Sequence, residues 1–484
     1  MHPTPQQLDR AVGAVVGSAI GDALGAPYEF GPAHPDDFVA QFGPGMGGEA
    51  PGGWTDDTAM AMAILDALAA GLDIDTEAGM QHVIERWYRW VDEDARGIGI
   101  QTAQVLRAAE PGRTERDLLA ASQSAHRRTG RSGGNGSLMR IGPLALGYLD
   151  RDGEAALPSA AERVTRVTHW EPDNVAATTI WSLLIRRAIL TGDVDAPGAV
   201  EAIDDAELRA RWSGFIQEAR AAHHPRDFSD GNGWVVRALQ AALIALEGAA
   251  DFRDAIQRAV RGGEDTDTVA AIAGALAGAK WGVSQIPLSW QRRIHGWPGW
   301  DANDLARHAL LAVGHGRSDR RGWPAGASAA DPAFRRTPAV RHPHDAGLWL
   351  GSQSALAALP ASVSAVVSLS RVGTREVPDG IESIRVWLVD EPGQNAGVER
   401  TLADAADMVA ELRREGREVF LHCAEARSRT AAVAALYAAR HLGIPLQVAW
   451  SALDGRRGDG ALPDYDPARF LVDAVTRIVA TGED

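Results

Sequence analysis

A single cysteine, Cys423, in a chain of 484 residues excludes any intramolecular disulfide and any metal site built on several thiolates. Long apolar runs are missing too. None approaches the roughly 18 residues that a membrane span needs, and the stretch from Met1 to Arg10 lacks a basic region followed by an apolar one, so a cytoplasmic protein is expected. Positive charge is scarce, with 48 Lys and Arg against 64 Asp and Glu and a formal net charge of −16. Such a chain is repelled at long range by nucleic-acid backbones and anionic membranes, which argues against either as the main partner.

What is present suits packed cores, since hydrophobic residues make up 45% of the chain and charged residues 23%. One core does not grow much beyond roughly 250–300 residues, so two domains are expected. From Leu8 to about Val313 the chain is dominated by Ala-rich apolar segments of helical length, such as Met60 to Ala69, Val175 to Leu190, Val235 to Leu246 and Val269 to Ala279. No β-branched or alternating run separates them, and residues 1–315 are read as an all-α bundle. Residues 316–345 shift to Gly, Pro, Arg, Asp and His with little apolar periodicity and are read as a linker. Residues 346–484 alternate short β-type runs at Leu348 to Leu350, Val363 to Leu369, Ile384 to Val389 and Val419 to Leu421 with helical patterns near 398–414, 430–441 and 466–479. That alternation predicts a small α/β domain with a mostly parallel sheet.

Two acidic clusters stand just ahead of helices: Thr55-Asp56-Asp57-Thr58 and Glu264-Asp265-Thr266-Asp267-Thr268. Either alone suits helix capping, because Asp and Thr accept from unpaired backbone N–H groups. Capping needs one side chain, however, and four aspartates crowded at two helix ends would repel one another and hold their protons more tightly. Hard divalent cations relieve that repulsion. Oxygen-only donors favour magnesium, manganese or calcium over zinc, and paired clusters suit a two-metal site.

The segment Gly17 to Glu29, the run Trp54 to Thr58, Gly133-Gly134-Asn135-Gly136-Ser137-Leu138-Met139-Arg140 and the stretch Gly262 to Ala279 together resemble the ADP-ribosylglycohydrolase family, in the family's order. The resemblance covers roughly residues 8–313 and implies the same all-α fold. It implies that Thr55, Asp56, Asp57, Asp265, Asp267 and Thr268 hold two Mg²⁺ ions, with Mn²⁺ as the alternative, and that Glu29 sits on a mobile acidic loop beside them. The glycine-rich run Gly133, Gly134, Asn135, Gly136 and Ser137, read as a flexible turn able to offer backbone N–H groups to a pyrophosphate, is the implied substrate loop together with Met139. His169 is implied to line the cleft.

The expected reaction is cleavage at an anomeric carbon through an oxocarbenium-like state, with Asp56 or Asp57 orienting a water and Glu29 gating the site. The resemblance implies release of ADP-ribose from a modified protein side chain, arginine first, or from a small-molecule ADP-ribosyl substrate. A non-catalytic ADP-ribose reader is the alternative for this half.

In the second half, Val419 to His422 forms a strand, Cys423 to Arg429 a tight loop, and Thr430 opens an Ala-rich helix. Such a loop aims backbone amides and a helix terminus at one point, which binds phosphate and favours a thiolate. Arg429, six residues after the cysteine, can grip phosphate oxygens with two donors. The pattern resembles the cysteine-dependent dual-specificity phosphatases over about residues 345–482. By that resemblance Cys423 is the nucleophile toward a phosphorylated substrate, Arg429 binds phosphate, Thr430 assists the leaving thiolate, and Asp390, at the end of the third strand, is the general acid. Ala426 departs from the glycine usual there. If that position takes a positive φ an alanine is strained, so a domain that only recognises phosphate is the alternative to a phosphatase.

Overall fold

Glycine at every fourth position, Gly13, Gly17, Gly21 and Gly25, decides how the first helix packs. The computed structural model describes residues 3–110, 112–150, 152–319, 324, 338–372, 376–455 and 461–482. Helix α1 (Pro5–Gly25) starts at a capping box made by Thr4 and Gln7 and is buried along most of its length. Residues four apart share one helix face, so the four glycines form a row without side chains. Against that row lies a later helix, Thr266–Trp281, which carries Gly274 and Gly278 in return. A Cβ added at Gly21 would sit 1.9 Å from the Ala270 carbonyl oxygen, and one at Gly278 would sit 1.9 Å from that of Gly13. Only glycine permits two backbones this close.

The chain divides into two compact units, Met1–Ile286 with Arg293–Arg317, and Pro287–Arg292 with Ser318–Asp484. The first is helical, as its periodicity predicts. Besides α1 its site uses α2 (Asp56–Ala69), α3 (Pro172–Thr191), α4 (Val235–Glu247) and α5 (Thr266–Trp281). Each contains one of the apolar segments read from sequence. The described residues of this unit also include a two-residue antiparallel pair, His295–Gly296 with Trp300–Asp301.

The second unit holds a five-stranded sheet of β1 (Val340–His342), β2 (Asp345–Ser352), β3 (Val363–Ser368), β4 (Glu382–Arg385) and β5 (Glu418–Cys423), in the spatial order β1-β2-β5-β3-β4. All neighbours are parallel except β1 with β2. Successive strand residues point to opposite faces. Ala365, Val367, Val419 and Leu421 therefore join one core with residues of helices α6 (Val398–Arg414), α7 (Arg429–His441) and α8 (Arg469–Thr481), while Val366 and Phe420 join another.

Two sequence expectations are corrected here. Strand β1 and the start of β2 fall within 316–345, so part of the expected linker is sheet, while residues 320–323 and 325–337 lie outside the described ones. The third expected strand ends at Arg385 instead of Val389. Its partner β3 ends at Ser368, whose carbonyl takes the Val386 N–H, and Leu388 N then turns back to the Val386 carbonyl. Asp390 thus follows an irregular segment rather than a strand end.

Candidate functional site

In the first unit the glycine row brings two helix ends and one helix side together. Asp22, on α1, accepts from the backbone of Thr55 at 3.0 Å and from the Thr58 N–H and hydroxyl at 3.0 and 2.6 Å, and so holds the start of α2. Thr55 caps α2, and its hydroxyl reaches Asp57 Oδ2 at 3.0 Å. At the start of α5 the Thr268 hydroxyl lies 3.5 Å from the same Asp57 oxygen.

Carboxylate oxygens of Asp22, Asp57 and Asp267 lie within 4.8 Å of one another, as do those of Glu29, Asp265 and Asp267. The two groups share Asp267. The structure thus brings together Asp57, Asp265, Asp267, Glu29, Thr55 and Thr268 of the sequence expectations. Asp56 enters neither group: a Cβ on Gly97 would lie only 2.8 Å from its Oδ1.

This crowding has a clear electrostatic signature. Asp57 and Asp267 are held well above the usual carboxylate range, first by burial and then by neighbouring aspartates. Burial likewise raises Asp56 strongly, with Asp22 adding to it. Burial pushes Asp22 up to about 6 and Glu29 up to about 7, the latter helped by Asp265, Asp22 and Glu49. Asp57 Oδ1 is buried without a hydrogen-bond partner. Buried carboxylates that repel one another and leave an oxygen unpaired are donors awaiting a cation. The set, with oxygen donors only, fits hard divalent ions.

The residues around the clusters are fixed by hydrogen bonds. Asn135 Nδ2 donates to Asp265 Oδ2 at 2.7 Å, and Asn232 Oδ1 accepts from the Asp265 N–H at 3.2 Å. The Glu29 loop is tied to the second cluster by Phe30 N to the Glu264 carbonyl at 2.6 Å and Glu264 N to the Gly31 carbonyl at 2.7 Å.

The run 133–137 is less free than its composition suggests. Val235 N donates to the Gly133 carbonyl, Asn135 N donates to Gly233, and Asn135–Ser137 forms a single 3₁₀ turn. Gly134 and Gly136 do face His169: a Cβ at Gly136 would lie 3.3 Å from its Nε2. Ser137 and Met139 are buried instead, the Ser137 hydroxyl accepting from Asn174 at 2.7 Å.

Asp22, Asn232, Asn174 and Arg140 are the members that sequence reasoning left without a role. The row of glycines at fourfold spacing was the available signal for Asp22, because it marks a helix face in close contact.

In the second unit Cys423 ends β5, is buried, and is followed by a loop into α7. Ala426 takes φ 62°, the left-handed conformation in which an alanine is strained. Arg429 Nη1 donates to the carbonyls of Leu369 and Leu388 at 2.7 and 3.0 Å, and its Nε lies 3.7 Å from Asp390 Oδ2. Asp390 accepts from the Ser428 hydroxyl at 2.8 Å. The Thr430 hydroxyl is buried with no partner. Cys423, Arg429, Thr430 and Asp390 thus surround one loop.

A model of the ADP-ribosylglycohydrolase family matches residues 3–320, and the chain belongs to that family. The ADP-ribosylarginine hydrolase Tri1 of Pseudomonas putida is 33% identical over 60% of this chain and 76% of its own length. The ADP-ribosyl-[dinitrogen reductase] glycohydrolase of Rhodospirillum rubrum is 28% identical over 60% of this chain and 92% of its own. A solved structure of human DUSP28 matches at 24% identity over 32% of this chain and 100% of that one, with a TM-score of 0.27. Among the described residues no helix is long and apolar enough to cross a membrane.

Proposed function

We propose that the first unit removes ADP-ribose from a modified side chain, arginine first, with two Mg²⁺ ions held by Asp22, Asp57 and Asp267 and by Glu29, Asp265 and Asp267, and with Thr55, Asp56 and Thr268 beside them. The observation that carries this reading is the sharing of Asp267 by two carboxylate groups next to the turn at Asn135. When bound, the cations supply positive charge for ribose hydroxyls and lower the pKa of a water.

The chain's own residues do the rest. Thr55, Thr58, Asn135 and Asn232 hold the aspartates in place, so little reorganisation is left for the reaction itself. Burial of Asp22, Asp57 and Asp267 strengthens the charge interactions among them, while Glu29 and Asp265 stand at the partly exposed side. Glu29, on the loop tied to the second cluster through Phe30 and Gly31, can orient a water or a ribose hydroxyl beside the cation it holds. The partly exposed glycines of the Gly133–Gly136 turn, with the buried His169 behind them, suit the phosphates and ribose.

For the second unit we propose cysteine-dependent phosphatase chemistry. Cys423 Sγ attacks phosphorus, the ester oxygen leaves with a proton from Asp390, and water later cleaves the phosphocysteine. Support comes from the strand, loop and helix around Cys423 and from Thr430, whose buried hydroxyl has no partner. The left-handed Ala426 favours a second reading, a domain that binds phosphate without turning it over.

The test is to follow free ADP-ribose from mono-ADP-ribosylated arginine and serine substrates, with Mg²⁺ and then with excess chelator. Magnesium-dependent release that disappears in Asp267→Asn is expected. Folded protein that releases nothing from either substrate sinks the reading.

A further inference from the structure

Behind the glycine turn lies a chain of three polar side chains, of which the family resemblance gave a place to His169 but no role to the other two. Arg140 is fully buried, stacked over Trp87 with its guanidinium carbon 4.2 Å from the ring centroid. Its Nη2 donates to the Thr168 hydroxyl at 2.6 Å, and that oxygen lies 2.9 Å from His169 Nδ1. Thr168 and His169 are buried as well, at 0% and 1% exposure.

The directions of these bonds follow from what each group can do. A guanidinium has donors only, so the first bond runs from Arg140 to Thr168. A hydroxyl has one proton, and among the described residues the Thr168 hydroxyl has no possible acceptor other than His169 Nδ1. Were Nδ1 protonated, the threonine proton would be left unpaired in a site closed to water, at the full desolvation cost of a hydroxyl. The threonine therefore donates to Nδ1, and in a neutral ring Nδ1 as acceptor puts the proton on Nε2. Burial first, and the Arg140 charge second, hold His169 well below the usual histidine range, so the ring is neutral.

We infer that Arg140 and Thr168 are positioning residues that lock His169 as the Nε2–H tautomer, a neutral donor aimed across Gly134 and Gly136 at an oxygen of the bound ADP-ribosyl group. Both glycines are explained by the same geometry. Side chains there would stand 3.7 and 3.3 Å from Nε2 and fill the approach to it. Gln101 reinforces the arrangement by donating from one amide nitrogen to the carbonyls of Thr168 and Ser132 at 3.0 and 3.1 Å. Neutrality matters because a donor that carried no charge would select an oxygen by position and would not compete with the cations for the diphosphate.

The inference rests on the glycohydrolase reading only for the nature of the oxygen; the tautomer can be measured without any substrate. Full-length protein labelled with 15N-histidine is examined, the His169 signals being assigned by their loss in His169→Gln. Protonated Nε2 and bare Nδ1 are expected, in Thr168→Ser as in the wild type, and a growing share of the Nδ1–H form in Thr168→Val. Protonated Nδ1 in the wild type overturns the inference. Titration with ADP-ribose then reads the second half. A Kd raised roughly fivefold in Thr168→Val, the scale of one hydrogen bond, and restored in Thr168→Ser supports it. An unchanged Kd in Thr168→Val overturns the donor role. Wild-type protein that binds no ADP-ribose removes the proposed substrate, and with it the donor's target, while the spectrum still decides the relay.

Discussion

Asp22 Oδ2 accepts from the Thr58 hydroxyl at 2.6 Å, which ties the last turn of one buried helix to the first turn of another. The same carboxylate belongs to a group with Asp57 and Asp267, so a single side chain both orders the start of α2 and faces the cation site. Asp22→Asn should keep much of the ordering and lose the charge. We expect added Mg²⁺ to raise the Tm of the wild type, as any ligand of the native state does, and to leave that of Asp22→Asn nearly unchanged. ADP-ribose release should fall by about 100-fold or more, the scale of losing an electrostatic group at a reaction centre. Thermal melts with chelator and with Mg²⁺, alongside the release assay, check both parts.

Asp9 offers a pH test away from the cations. It accepts from the Ser284 N–H at 2.9 Å and the Ser284 hydroxyl at 2.7 Å, and burial raises it to about 7. An acid bound more tightly to its proton in the folded state than in the unfolded one contributes stability that is complete below pH 3.8. That stability is lost as pH rises through about 7, because the native state must then ionise a buried carboxyl. The full difference is on the order of 4 kcal/mol. Asp9→Asn should therefore gain on the wild type as pH climbs from 5 to 8. Denaturant unfolding at the two pH values measures it, and parallel curves would sink the assignment.

The outline of the first unit was legible because burial on a helix leaves a period: the segments from Met60, Val175, Val235 and Val269 all lie in helices. The clusters at 55–58 and 264–268 were legible because several acids at a helix end exceed what capping needs. Asp22 was not. It lies 33 residues before Thr55 in the chain, and the glycine row, which marks α1 as closely packed, does not say which helix starts it meets. The bond from Arg140 to Thr168 was hidden for the same reason, since a hydrogen bond between residues 28 apart leaves no trace in spacing. Strand β1, three residues with one of them buried, is too short to show alternation.

Ala426 carries the third prediction. At φ 62° an alanine costs about 1 kcal/mol more than glycine. Ala426→Gly should raise the stability of the second unit by roughly that amount, seen in denaturant unfolding. It should also speed any hydrolysis of p-nitrophenyl phosphate, and Cys423→Ser should abolish it. A stabilised variant with no hydrolysis at all would favour the domain that only recognises phosphate.

The glycine seam between α1 and α5 joins the stretches 5–25 and 266–281, nearly the two ends of the first unit. A ribosome that has released the first 250 residues has made Asp22, Asp56 and Asp57 but neither Asp265 nor Asp267. Contacts between such distant stretches also form late in folding, since the loop must close before they reward it. A nascent chain of that length therefore lacks two of the four aspartates of the paired clusters, which are complete only once the second helix of the seam has been made.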